Sequence, residues 1–202
     1  MRQRHAGPRG FQMNKTRLEA FSDGVIAIII TIMVLEFKIP HEADLEALRP
    51  LIPIFISYAL SFIFVGIYWN NHHHLMHVVQ KTSASVLWAN LHLLFWLSLV
   101  PFATGWVGEH SFEPWPVAIY GVVLVCCGFA YFILTRALLA IHGAESPLAV
   151  ALGKDIKGKM SLVIYLIAIP IAFVSSWCAY GLYIAVALMW LIPDRRMENV
   201  MR

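Results

Sequence analysis

Apolar residues occupy this chain in long blocks separated by short polar stretches. Four blocks fall at about 20–38, 51–70, 84–107 and 115–140, each near the roughly 20 residues a helix needs to cross about 30 Å of hydrocarbon. A fifth, from Met160 to Pro193, runs 34 residues without an Asp, Glu, Lys, Arg or His. As one helix it would be about 51 Å long, too much for a single crossing. Ser175-Ser176 and Gly181 are therefore read as a turn between two short spans, at about 160–175 and 178–193. The pattern predicts an all-α polytopic membrane protein with six transmembrane helices per subunit. Residues 1–14 read as a basic N-terminal tail, 15–196 as a single six-helix membrane domain and 197–202 as a C-terminal tail. The first block carries no small-residue cleavage site, so it is expected to stay as an anchor. Met13 could serve as an alternative start, which would make residues 1–12 dispensable.

Composition agrees with that class: 59% of the residues are hydrophobic and only 13% charged. Charge then orients the spans. With the N-terminus inside, the cytoplasmic pieces hold Arg2, Arg4, Arg9, Lys15, Arg17, Lys81, Arg136, Lys154, Lys157, Lys159, Arg195, Arg196 and Arg202. That leaves only Lys38 and Arg49 outside, as the positive-inside rule expects, and puts both termini in the cytoplasm. A five-span reading would put the C-terminal arginines outside. The outer segments are acidic instead, with Glu36, Glu42, Asp44 and Glu46 after the first block and Glu109 and Glu113 after the third. Acids at a pore mouth would concentrate cations, and Glu36 and Glu42 are the candidates; ordinary loop polarity explains them equally.

The first block differs from an inert anchor because Ser22 and Asp23 stand at its start. Ionisable groups at membrane depth are costly and mark function by default. A buried polar network is one reading of the pair, and a helix N-cap is the other. Further along, Gly24, Ile28, Thr31 and Leu35 recur at helical spacing, with Ile32 beside them. Such a face can pack against a neighbouring helix. It can also line a narrow pathway, with bulky apolar side chains as a hydrophobic constriction and a hydroxyl beside the ion.

Arg17-Leu18-Glu19-Ala20-Phe21-Ser22-Asp23 matches the RxxxFSD signature of the transmembrane-protein-175 family, and the continuation GVIAIIITIMVLE resembles its first helix. Asn71-His72-His73-His74, Trp88-Ala89-Asn90 and Pro101-Phe102 extend the resemblance over most of the chain. The arrangement is similar to the single six-helix repeat of prokaryotic members, which are potassium channels, rather than to the doubled animal form. The resemblance implies a homotetramer whose first helices line a central pore, with no carbonyl filter; this chain likewise has no TVGYG-like loop. It places the constriction on Ile28, Ile32 and Leu35 with Thr31 facing the pore, and a polar network on Arg17, Phe21, Ser22, Asp23, His73, His74, Trp88 and Asn90. A potassium-permeable channel favouring K+ over Na+ follows as the expected function. The permeant ion is K+ and no other cofactor is expected. Membrane lipid is the surrounding partner, nucleic acid is not one, and the location is a cell membrane, the inner membrane of a bacterium.

Other features change this picture little. His73 and His77 share a helical face, yet no carboxylate or thiolate accompanies them, so no metal site is assigned. Histidine titrates near neutrality, which leaves a pH-sensitive role open. Trp88 could complete the network or sit in an interfacial aromatic belt. Pro101 and Pro170 are expected to kink their helices. Cys126, Cys127 and Cys178 read as small buried hydrophobes without a disulfide framework. An enzyme would need a nucleophile–base pair or metal cluster at one depth, and none is evident. A secondary transporter is the alternative function, although neither an inverted repeat nor a pair of broken helices at matching positions is visible.

Overall fold

The computed structural model describes residues 15–143, 145–153 and 155–192, so the expected tails at 1–14 and 197–202 lie outside the described residues. Among the described residues every regular element is helical: α1 (Lys15–Met33), α2 (Ile52–Val78), α3 (Ala84–Leu97), α4 (Val100–Glu109), α5 (Pro114–His142), α6 (Pro147–Leu152), α7 (Ile156–Ile171) and α8 (Ser176–Leu191), with 3-10 turns at Val34–Glu36 and Glu46–Leu51.

The helix ends follow from local chemistry. Proline occupies the first turn of α2, α4, α5 and α6, where its missing N–H costs nothing. Ser83, Ser146, Asp155 and Ser175 cap α3, α6, α7 and α8 by accepting the orphan N–H groups of Val86, Ala149, Gly158 and Cys178. The apolar block at 84–107 becomes two helices because Pro101 has no N–H to give to the Leu97 carbonyl; Ser98 and Leu99 turn the chain between them. Pro170 falls in the last turn of α7, so it ends a helix rather than bending one. The polar stretch Asn70–His77 does not stop α2, since it contains no Gly or Pro, and the helix continues to Val78.

Among the described residues four segments are long and apolar enough to cross a membrane: Lys15–Glu36, Glu46–Val78, Ala84–Glu109 and Pro114–His142. α5 is the central helix and packs on α3, α4, α7 and α8, while α2 packs on α1, α4 and α8. Half of α5's apolar window is buried, against 28% for α1 and for α2. Those two helices therefore present most of their apolar surface outward.

Close helix approach is allowed by small residues. A Cβ on Gly108 would lie 2.8 Å from the Ile54 Cα and 2.7 Å from the Ser57 hydroxyl, so α4 and α2 touch nearly backbone to backbone. The interior is aromatic, with Phe64, Tyr120, Tyr165, Tyr180 and Tyr183 in edge and tilted ring contacts. Their hydroxyls are satisfied where they are deepest: Tyr180 donates to the Ile56 carbonyl and Tyr183 to that of Val117, each at 3.2 Å. In a buried hydroxyl cluster Thr104 donates to the Val100 carbonyl at 2.7 Å and its oxygen meets Ser61 at 2.6 Å, while Ser61 meets Tyr120 at 2.9 Å. Of the cysteines only Cys127 is buried; Cys126 is half-buried and Cys178 exposed, contrary to the expectation that all three are interior.

Candidate ion pathway and its supporting network

α1 has two faces. Leu18, Ser22, Ile26, Ile29 and Met33 recur every three or four residues and are buried against α2, α3 and α4. Gly24, Ile28, Thr31, Ile32 and Leu35 lie on the opposite side, where Ile28 is 58% exposed, Ile32 43% and Leu35 76%. Leu35 is carried by the 3-10 turn that continues α1. The Thr31 hydroxyl donates to the Ile28 carbonyl at 3.0 Å. Its proton is thus committed to the helix, and its lone pairs remain as an outward acceptor for a cation.

The inner face is fastened by a buried polar chain. Because α1 begins at Lys15, Ser22 and Asp23 stand two turns inside it, and the N-cap reading does not apply. Ser22 is fully buried and donates to the Leu18 carbonyl at 2.8 Å. The Asn90 carboxamide of α3 donates to the Ser22 oxygen at 2.9 Å, and its own oxygen meets His72 Nε2 of α2 at 2.8 Å. With Asn90 Oδ1 as acceptor, Nε2 of His72 must carry the proton. Three helices are joined by one directional chain of donors.

Asp23 points elsewhere. Its carboxylate accepts the indole N–H of Trp69 at 3.0 Å, and Trp69 stacks on His73 with ring centres 5.8 Å apart. A second, more exposed contact between α1 and α2 is the result.

Of the expected network residues, the structure brings Ser22 and Asn90 together, and the histidine beside them is His72. His73 instead stacks on Trp69, and His74 lies against His73. Consecutive helical residues diverge by about 100°, so one histidine of the three faces inward. The signal was present in the sequence: Ser57, Ser61 and Val65 form the buried stripe of α2, and carrying that phase forward reaches His72 and Met76. Trp88 is 73% exposed and stands outside the network, as do exposed Arg17 and Phe21. Trp69 was missed because an indole near a helix end resembles an interfacial ring until its partner is known. At the other end of α1, Glu36 is half-buried and lies against Gly105, where a Cβ would be 3.1 Å from its carboxyl carbon; Glu42 is exposed in the following loop.

An all-helical bundle with several membrane-crossing helices defines a multi-pass membrane protein, and the comparisons with known proteins make the class more specific. Residues 17–101 match the model of the family described as endosomal/lysosomal potassium channel TMEM175. A potassium channel of Chryseobacterium sp. (strain P1-3) is 50% identical over 190 residues, covering 94% of this chain and 99% of that one. A potassium channel of Chamaesiphon minutus is 28% identical over 195 residues, covering 90% and 95%. The crystal structure of a lysosomal potassium-selective channel TMEM175 homologue from Chamaesiphon minutus superposes with a TM-score of 0.76 at 27% identity, covering 88% of this chain and 96% of that one. The class is that of ion channels, not enzymes. The chain belongs to the TMEM175 family.

Proposed function

We propose that the chain is one subunit of a homotetrameric channel that passes K+ in preference to Na+ through a pore lined by the outer face of α1. The carrying observation is the division of α1: its inner face is fastened by the Ser22–Asn90–His72 chain, while Ile28, Ile32 and Leu35 project away from the subunit. In this reading four copies bring those side chains together as an apolar neck. An ion entering it must shed water, and the neck favours the ion that holds its hydration shell less tightly. Potassium does so, and Thr31 offers an oxygen in return. Arg17, Phe21, Asp23, His73, His74 and Trp88 lie at one end of the bundle, where they are suited to contacts between subunits.

The reading takes α7 and α8 as fifth and sixth spans and residues 15–196 as one channel domain with both termini in the cytoplasm. Each of these helices has 16 residues, or about 24 Å at the usual rise, enough for a thin or locally adapted bilayer. They run antiparallel, and Lys157 at the start of α7 donates to the Ile192 carbonyl just after α8 at 2.8 Å. Glu36 and Glu42 then lie on the outer side, near the mouth, in the inner membrane of a bacterium.

The test is cation flux into liposomes carrying the purified protein, with K+ and Na+ compared and Ile28→Asn alongside. Potassium-favouring flux that rises or loses preference in Ile28→Asn is the expected result. Flux indifferent to that change would remove Ile28 from the neck, and absence of flux at any potential would favour a coupled transporter.

A further inference from the structure

Away from α1, a cavity opens between α2, α5, α7 and α8, at the end of the bundle where α2 finishes and α7 begins. Its wall is mainly apolar, with Phe64, Ile67, Phe132 and Leu162 among the lining side chains, and Gly128 lets Leu162 pack close, since a Cβ there would lie 3.0 Å from its Cδ2. Several lining polar groups are already engaged. Tyr131 donates to the Asn71 carbonyl at 3.3 Å, and the Trp190 indole to Ser161 at 2.8 Å.

Four others are not engaged by any described residue through their outward atoms. The Tyr68 hydroxyl and the Asn71 carboxamide line the cavity, and among the described residues neither has a side-chain hydrogen-bond acceptor; Lys159 also lines it and is exposed. Asp155 uses Oδ1 to cap Gly158 at 3.1 Å, leaving Oδ2. Asp155, the N-cap of α7, and Lys159 are one turn apart, yet they form no ion pair with each other. An acid and a base held apart at the mouth of a greasy cavity, with two neutral donors below them, match a molecule that carries both charges on a short polar head above an apolar tail.

We propose that this cavity binds one membrane phospholipid with an amine-bearing zwitterionic head of the phosphoethanolamine kind. The ammonium of the head donates to Asp155, and the phosphate accepts from Lys159 and from Asn71 or Tyr68. An acyl segment enters between Phe64, Ile67 and Leu162. A head with net negative charge would set that charge against Asp155. A choline head has no N–H to donate to the carboxylate. The site thus differs from the clusters of Lys and Arg that hold acidic lipids. The inference rests on the chain's place in a membrane and not on how it conducts.

The experiment is native mass spectrometry of the full-length protein in detergent, titrated separately with phosphatidylethanolamine, phosphatidylglycerol, phosphatidylcholine and soluble phosphoethanolamine. Phosphatidylethanolamine should be retained about tenfold more tightly than the other two lipids, a factor one charge-assisted hydrogen bond supplies. Asp155→Asn keeps the helix cap and should erase that preference. Lys159→Ala should weaken all three lipids. Ile67→Trp, which adds bulk to the apolar wall of the cavity, should abolish retention. Equal retention of the three lipids, unchanged retention in all three variants, or equal binding of soluble phosphoethanolamine would each overturn the proposal. Because retention is read without current, failure here and failure of the channel reading are separate results.

Discussion

Asn90 donates to the oxygen of Ser22 at 2.9 Å across 68 residues of sequence, both side chains being wholly buried. The bond joins α3 to the inner face of α1, behind the side that carries Ile28 and Thr31. Ser22 passes its own proton to the Leu18 carbonyl, and Asn90 takes one from His72, so the chain has a single direction. Directional networks of this kind orient a helix about its own axis as well as holding it. Rotating α1 would carry both faces with it.

Removing either end of that bond should therefore cost both stability and function. Ser22→Ala and Asn90→Ala are each expected to destabilise by about 1–3 kcal/mol, since each leaves a buried partner unsatisfied. The double variant should fall short of the sum by about 0.6 kcal/mol or more, the coupling typical of hydrogen bonds inside membrane proteins. Thermal unfolding of the purified protein in detergent measures all three. Strict additivity would mean that the two side chains are not coupled.

Asp23 and Trp69 make a second fastening whose chemistry is separable from the first. Trp69→Phe removes the indole N–H but keeps a ring to meet His73, and leaves the Asp23 carboxylate without its donor. Asp23→Asn keeps an oxygen that accepts from the indole, whereas Asp23→Leu does not. Ion flux in liposomes should fall in the order wild type, Asn, Leu at position 23, with Trp69→Phe close to Asp23→Leu. Should Asn behave as badly as Leu, the negative charge and not the hydrogen bond is what matters there.

The all-helical class and the crossing of a membrane were legible because both depend on long-range averages of hydropathy, which single residues barely disturb. Helix ends were less so. Nothing in Asn70–His77 distinguishes a polar loop from a polar last turn, and α2 continues through it because no residue there forbids a helix. Ser22 was recognisable as a polar group at the start of an apolar block, and Asn90 as a carboxamide at membrane depth. The choice among His72, His73 and His74 needed the rotational phase of α2, which a run of three like residues conceals. Trp88 and Trp69 show the same limit from the other side. Both are indoles near helix ends, and only packing separates the one that is 73% exposed from the one bonded to Asp23.

Glycine substitutions separate packing within the subunit from whatever surrounds the outer face of α1. Gly108 faces the Ile54 backbone at a distance no Cβ tolerates, so Gly108→Ala should destabilise the fold by a few kcal/mol, an overpacking effect of about 1–3 kcal/mol or more. A Cβ on Gly24 meets nothing within 4 Å. Gly24→Ala should then leave subunit stability unchanged or slightly raised, by the roughly 1 kcal/mol that alanine gains over glycine in a helix. Any loss of flux or of oligomer in Gly24→Ala must arise outside the subunit. Size-exclusion chromatography with the unfolding curve distinguishes the two; a Gly24→Ala protein that unfolds as early as Gly108→Ala would contradict the open space seen beside Gly24.

Thr31 tests the chemistry of the proposed neck itself. Its hydroxyl proton is held by the Ile28 carbonyl at 3.0 Å, so the oxygen can only accept from the outward side. Valine has nearly the same shape, is favoured no less on an exposed apolar face, and carries no oxygen. Thr31→Val should leave folding and assembly as they are and reduce the preference for K+ over Na+, with K+ flux falling more than Na+ flux. Thr31→Ser restores the oxygen without the methyl group and should recover most of the preference. The measurement is the ratio of K+ to Na+ flux in liposomes for the three proteins at matched protein content. A ratio unchanged in Thr31→Val would leave discrimination to the apolar side chains alone, and Ile28, Ile32 and Leu35 would then be the residues to vary.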